Sequence, residues 1–239
     1  HYPTSEYYLA IKTPIKYETS KITATTIDEY IKLLTEGYIN VNIREDLEQY
    51  LTKLLDNEWF HQWPQVRWAY ASRSLYKKTE VNYKNNEENI DDEIKMLDSL
   101  AKEGWPGAAT DIGVCYRLNK IQGDNYAQSI CLWIYASRKG YHAAGNRLYV
   151  EFQMGEYEKL CEELQLFILD EAISWLLDEN DATLDDYIEK LDKWSLENYK
   201  KMKRRYEKLQ KSVSERTYMR ETIGKLGWPE GESPFDIKY

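Results

Sequence analysis

AKEGWPGAATDIGVCYR, running from Ala101 to Arg117, sets Gly, Trp, Pro, Gly and two Ala side by side, then adds Gly113 and Tyr116. Most of these residues are poor helix formers on propensity alone. The stretch is a loop, a glycine-rich ligand cradle or a joint between helices, and its surroundings decide which. Upstream lies IDDEIKMLDSLAKEG, with Ile94, Leu97, Leu100 and Ala101 at i, i+3, i+6 and i+7. That spacing is the stripe of an amphipathic helix.

The pattern then recurs. SRKGYHAAGNRLYVEF (Ser137 to Phe152) aligns with the quoted stretch so that Gly104 falls on Gly140, Trp105 on Tyr141, Ala108 on Ala144 and Ile112 on Leu148, an offset of 36 residues. Its upstream partner YAQSICLWIYASRKG carries Ile130, Trp133, Ala136 and Ser137 at the same offsets. A repeat of this period points to stacked helix-turn-helix units. The quoted stretch is therefore a joint. Gly104 closes one helix in the left-handed conformation, and Pro106 opens the next, where its missing N–H costs little. Ala108, Ala109 and Gly113 are small enough to let the two helices of the unit press together. A phosphate cradle needs GxxxxGK[ST], or a strand feeding GxGxxG, and neither occurs.

A degenerate unit over 44–78 precedes these two, with Trp63-Pro64 in the place of Trp105-Pro106 and Gln62 in the place of Gly104. The clear units cover about 90–153. After them GEYEKLCEELQLFILDEAISWLL has no Gly where the first helix of a unit should end, so it runs on as a longer helix. DENDA (178–182) marks a turn, and a charged helical region follows from about Leu184 to Thr222. Residues 1–25 alternate polar and apolar and read as extended chain or a short hairpin, with Pro14 limiting any strand to an edge. Thr25 or Thr26 caps the first helix. The resulting division is an N-terminal arm (1–25), a helical-repeat domain (26–178) and a C-terminal helical cap with a Pro/Gly-rich tail (179–239).

GWPGAATDIGVCY resembles the second-helix signature of Sel-one-like repeats, a branch of the tetratricopeptide superfamily, through Gly104, Ala108, Ile112, Gly113 and Tyr116. DNYAQSICLWIYASRKG resembles the first-helix signature, with small shifts, through Tyr126, Ser129, Ile130, Trp133, Ala136, Ser137 and Gly140. Tyr149 departs from it, standing where the later unit should carry its second Gly, so the helices must sit differently there. The resemblance implies an all-α fold: a short right-handed α-solenoid, with the irregular arm before it and the long helical cap after it. It implies a concave face that holds another protein. Some such proteins are adaptors in complex assembly; others are immunity proteins that accompany secreted bacterial effectors, phospholipases among them.

The chemistry read from the residues agrees with a binding role. Only His1, His61 and His142 are present, and there is no HExxH, GxSxG or His-Cys cluster. Carboxylates are plentiful, but no spacing singles out an acid–base pair, so no catalytic residue, cofactor or metal ligand is expected. His61 and His142 read as packing residues at helix joints. Cys115, Cys131 and Cys161 form no CxxC pair and read as buried thiols, or as one bridge in an oxidising compartment. No segment approaches the roughly 18 apolar residues of a membrane span. The net charge of −9 argues against general nucleic-acid binding. The abundance of Tyr and Trp, 21 and 8 of 239 residues, suits both a core and interface anchors. A first residue His1 rather than Met suggests a processed or trimmed chain. A signal peptide or lipid anchor removed upstream would put the protein in the periplasm or otherwise outside the cytoplasm; a plain start would leave it cytoplasmic.

Charge is segregated. Acids dominate Glu156 to Asp192, and bases dominate Lys193 to Arg220. The two runs either pack as an antiparallel pair or leave one face for an oppositely charged partner. Ile134 and Tyr135 stand where the Sel-one-like pattern has outward charged residues, so they pack on a neighbour or form a binding patch. With Arg138 they are the first interface candidates, on the helix that lines the concave face; Arg67, Trp68 and Tyr76 come second. On this reading Tyr135→Ala leaves folding intact and weakens partner binding. The function expected is that of a non-catalytic protein-binding module, most specifically an immunity protein that covers the active-site face of a secreted toxin. The alternatives are a cytoplasmic adaptor or scaffold, and a hydrolase whose site the sequence does not reveal.

Overall fold

The computed structural model describes residues 14–18, 23–26, 29, 32, 36, 64–81, 89–123, 125–179 and 191–213. Strands β1 (Pro14–Glu18) and β2 (Thr23–Thr26) form an antiparallel hairpin with a register shift between Pro14 and Tyr17. Thr25 and Thr26, expected as helix caps, belong to β2, and Glu29 and Lys32 are helical. Among the described residues the helices that follow are α1 (Pro64–Val81), α2 (Asp91–Lys102), α3 (Pro106–Arg117), α4 (Asn125–Arg138), α5 (His142–Met154), α6 (Glu162–Glu179) and α7 (Lys193–Ser212). The fold is helical, each helix packed on its neighbours in the chain. The first part of the degenerate unit, the C-terminal tail, His1 and His61 lie outside the described residues, as does most of the DENDA turn.

The joints are built alike. Gly104 has φ +96°; its N–H donates to the Ala101 carbonyl at 3.0 Å and that of Trp105 to Leu100 at 3.0 Å. Gly140 has φ +84°, with Gly140 donating to Ser137 at 2.8 Å and Tyr141 to Ala136 at 3.0 Å. This paired closure satisfies helix-end carbonyls that would otherwise lack partners. It falls at the two positions that the 36-residue offset superposes. Pro106 is the first residue of α3, as its spacing predicts.

A Cβ on Gly104 would meet nothing within 4 Å. Only the backbone requires glycine there. Gly104→Val is expected to cost about 1–2 kcal/mol from the left-handed backbone alone, read as a shift in a urea unfolding midpoint.

Gly113 is small for a different neighbour from the one expected. A Cβ there would lie 2.5 Å from Trp133 Nε1 and 3.2 Å from the Ser129 carbonyl oxygen, both on α4, the first helix of the next unit. The indole of Trp133 also donates to the Thr110 carbonyl at 3.1 Å. Gly113 thus lets α3 close on α4, and the bond to Thr110 holds the ring in place. Gly113→Ala should cost about 2 kcal/mol by overpacking, with the loss visible in thermal unfolding followed by Trp fluorescence.

Several cross-helix bonds join residues at similar distances along the chain, beside others at separations from 15 to 71 residues. Arg67 Nη2 donates to Glu103 at 2.8 Å, the Tyr76 hydroxyl to Asp111 at 3.2 Å, Arg117 Nε to Glu151 at 3.1 Å, the Ser137 hydroxyl to Glu171 at 2.7 Å, Arg138 Nε to Glu171 at 2.7 Å, and Trp175 Nε1 to His142 Nδ1 at 3.4 Å. Every one spans 33 to 36 residues. These six separations lie near the 36-residue offset of the sequence.

Tyr149, the departure from the repeat pattern, explains the change of packing after α5. It is buried, its ring lies 5.0 Å from that of Trp175, and its hydroxyl accepts from Asn198 Nδ2 at 2.9 Å. One side chain thus reaches both α6 and α7. The chain leaves α5 through Gly155 and a short 3-10 turn (Glu156–Lys159) before α6 begins. Helix α6 is the longer helix expected, at 18 residues. Helix α7 packs against it in the opposite direction: Ser212 donates to Glu162 at 2.8 Å, and Arg205 to Gln165 at 2.9 Å. The acidic and basic runs do pair, through Arg-to-amide and hydroxyl-to-carboxylate bonds. Helix α7 begins at Asp192, whose carboxylate accepts from the N–H groups of Trp194 and Ser195. Those bonds hold its pKa below the ordinary value. Asp192→Ala is expected to speed amide exchange in the first turn of α7 and leave α3 unchanged.

Candidate functional site

The deepest polar cluster centres on Asp111, in the middle of α3. Its carboxylate, 4 % exposed, accepts from Trp68 Nε1 at 2.9 Å and from the Tyr76 hydroxyl at 3.2 Å, with Ser72 a further donor. All three come from α1. Arg147 of α5 donates to the Tyr76 hydroxyl at 3.1 Å, and its guanidinium lies 5.7 Å from the centre of the Trp133 ring. Burial raises the Asp111 pKa, against the lowering effect of these donors and of Arg147. Burial and the Asp111 charge likewise raise the Tyr76 hydroxyl. Cys115 lies one turn along α3 from Asp111; burial first, then the Asp111 charge, push its thiol up to about 12. A buried thiol with so high a pKa is a poor nucleophile. The cluster is an anchor between helices: each oxygen of Asp111 already serves a donor of the fold.

Two further buried carboxylates have the same construction. Glu151 accepts from Arg117 and from the Tyr126 hydroxyl at 2.9 Å, with the Arg117 guanidinium 4.7 Å above the Tyr126 ring. Glu171 takes Ser137 and Arg138, and burial raises its pKa against the pull of both. His142, expected to be structural, takes the Trp175 indole on Nδ1, and its backbone N–H donates to the Glu36 carbonyl at 3.0 Å. Among the described residues no group of three His, Cys, Asp or Glu could hold a metal ion. Cys115 and Cys131 are buried, whereas Cys161 is exposed at the start of α6, contrary to the expectation of three buried thiols; all three are free.

Of the six residues expected to face a partner, Ile134, Tyr135 and Trp68 are buried, and Arg138, Tyr76 and Arg67 are partly buried with side-chain partners in the fold. Ile134 is fully buried and Tyr135 is 6 % exposed. Helix α6 packs along α4, so the apolar excess on that helix meets a neighbour and forms no open patch. Arg138, in the next turn, is clamped by Glu171 at 2.7 Å and Asp170 at 3.5 Å, over the Phe167 ring at 4.5 Å. Trp68 is 2 % exposed and bonded to Asp111, and Tyr76 stands between Asp111 and Arg147. Arg67 pairs with Glu103 nearer the surface. The sequence reasoning passed over Asp111. Its signal was present: a single acid inside AATDIGVC, on a helix otherwise apolar and small.

The exposed surface offers other material. Val150 and Met154, one turn apart on α5, are exposed, as are Leu118 after α3 and Trp194 at the start of α7. Helix α7 carries eight Lys and Arg against two Glu. Between its last turns and the start of α6 lies an open recess of about 500 Å3, lined by Arg204, Arg205, Lys208 and Lys211 with Glu162 and Glu207. No helix among the described residues is long and apolar enough to cross a membrane. Set beside known proteins, the chain matches no family model, no curated protein and no solved structure.

Proposed function

We propose that this chain is a non-catalytic protein-binding module, a short stack of Sel-one-like helix-turn-helix units that holds another protein. The observation that carries the reading is the set of cross-helix bonds spanning 33 to 36 residues. Bonds that recur at the sequence period are what a stacked repeat requires, because each unit buries its apolar face only against its neighbours. Stacks of this kind present extended surfaces suited to gripping a partner. The right-handed solenoid form belongs to the same proposal. The buried carboxylates fit it too, since their oxygens are spent on inter-helix bonds.

The specific form of the proposal is an immunity protein that blocks a secreted bacterial toxin, such as a phospholipase, by covering its active-site face outside the cytoplasm. It rests on the resemblance of GWPGAATDIGVCY and DNYAQSICLWIYASRKG to the Sel-one-like signatures. The test is capture from lysate and secreted fractions with this chain as bait, followed by mass spectrometry and an activity assay. One stoichiometric partner with hydrolase activity that disappears on binding supports it. Several housekeeping proteins held weakly would favour an adaptor and retire the toxin.

A further inference from the structure

We infer that the outward face of α7 docks an acidic segment of a partner protein, an inference that rests on the protein-binding reading and names the chemistry of the partner. The cross-helix ion pairs Arg67–Glu103, Lys78–Glu93, Arg117–Glu151 and Arg138–Glu171 all run one way. In each, the earlier element supplies the cation and the later one the carboxylate. On α7, Lys200, Arg204, Lys208 and Lys211 are exposed, and among the described residues none of these cations has a carboxylate partner. These four follow one another at about one per turn, so they share a face and span about 16 Å of helix.

The surroundings select the occupant. Arg205, next in the chain to Arg204, is turned inward to Gln165 and forms the wall of the recess. Trp194, 58 % exposed, stands at i−7 and i−14 from Lys201 and Lys208 and supplies an aromatic anchor at the far end of the face. Glu197 and Glu207 interrupt the cations, and Glu162 lines the recess. A nucleic-acid backbone, with its unbroken row of phosphates, would meet those carboxylates and a chain of net charge −9. A protein segment with Asp or Glu once per helical turn meets the cations and can place a Lys opposite each Glu. The Arg204 guanidinium matches a carboxylate in two parallel bonds.

The probe is a fluorescein-labelled helical peptide with Glu at every fourth position, titrated with the full chain and read by anisotropy. Wild type is expected to bind. The double variant Arg204→Glu, Lys208→Glu should bind at least about tenfold more weakly, with unchanged circular dichroism because both positions are exposed. Lys120→Glu, exposed at the joint after α3, should bind as wild type does. Equal loss in Lys120→Glu would show a diffuse charge effect and overturn the site. Absence of peptide binding, tighter binding of a single-stranded oligonucleotide, or a dimer that the double variant dissolves would each overturn it as well. If the captured partner binds the double variant undiminished, this face is wrong and the protein-binding reading stands. If no partner is captured at all, the reading itself fails.

Discussion

Asp111→Ala is expected to lower the unfolding free energy by about 4 kcal/mol, to be read by urea denaturation near neutral pH. The substitution leaves the Trp68 indole N–H, the Tyr76 hydroxyl and the Ser72 hydroxyl without their acceptor, in a site that is 4 % exposed. Each buried donor left without a partner costs about 1–3 kcal/mol. Arg147 also loses the charge it faces. The cost exceeds that of an ordinary Asp→Ala change because three helices meet at this one carboxylate: α1 supplies the donors, α3 carries the acid and α5 brings the cation. Loss within about 0.5 kcal/mol of wild type, the ordinary range for a surface change, would show that the cluster is no anchor.

The effect depends on pH, and its sign follows from the direction of the shift. Burial raises the folded-state pKa of Asp111 above its ordinary value of 3.8. The folded state therefore binds the proton more tightly than the unfolded chain does. The stability that this supplies is fully present below the unfolded value and is lost as pH rises through the folded one. Asp111→Ala removes that dependence, so its cost relative to wild type is largest at acid pH and shrinks toward neutrality. Glu171, also raised by burial, works in the same direction from its ordinary value of 4.5. Stability profiles of both proteins between about pH 4 and pH 8 check this. A cost that grows with pH would mean that the ionised carboxylate is the stabilising form.

The helix joints were readable because they are written in residues that allow few alternatives. Gly104 and Gly140 hold backbone conformations that side chains resist, and Pro106 fits only a first helical turn. Positions like these betray a joint without any knowledge of what packs on it. The longer α6 could be inferred from the missing glycine, and the edge hairpin from Pro14 and the alternation around it. The surface could not be read in the same way. Whether a Tyr on an amphipathic helix is inside or outside depends on a neighbour distant in the chain, and here the neighbour is α6. The same limit hid the role of Asp111, whose donors lie 43 and 35 residues back, at Trp68 and Tyr76. A lone acid in a small-residue helix signals that a donor exists; only the fold shows where it is.

Tyr135→Ala therefore tests the point at which sequence and structure part. From the sequence, an apolar residue in an outward slot is a contact for a partner, and its removal should spare the fold. In the structure the ring is 6 % exposed, within the core that α4 builds with its neighbours. The Lys139 ammonium, just past the end of α4, lies over it at 5.8 Å. Truncating a buried aromatic ring leaves a cavity that close-packed neighbours fill only in part, and the expected cost is about 3 kcal/mol. The decisive readout is a pair of measurements: unfolding free energy, and partner capture per unit of folded protein. The core placement requires the first to fall and the second to hold. A variant of wild-type stability that no longer captures the partner would mean the reverse, with the ring released from the core to meet the partner, and would return Ile134, Tyr135 and Arg138 to the interface. A position so buried contributes to binding only through the rigidity of the helix that carries it. Among the described residues, the exposed groups that could meet a partner include the cations of α7 and the side chains of Trp194, Val150, Met154 and Leu118.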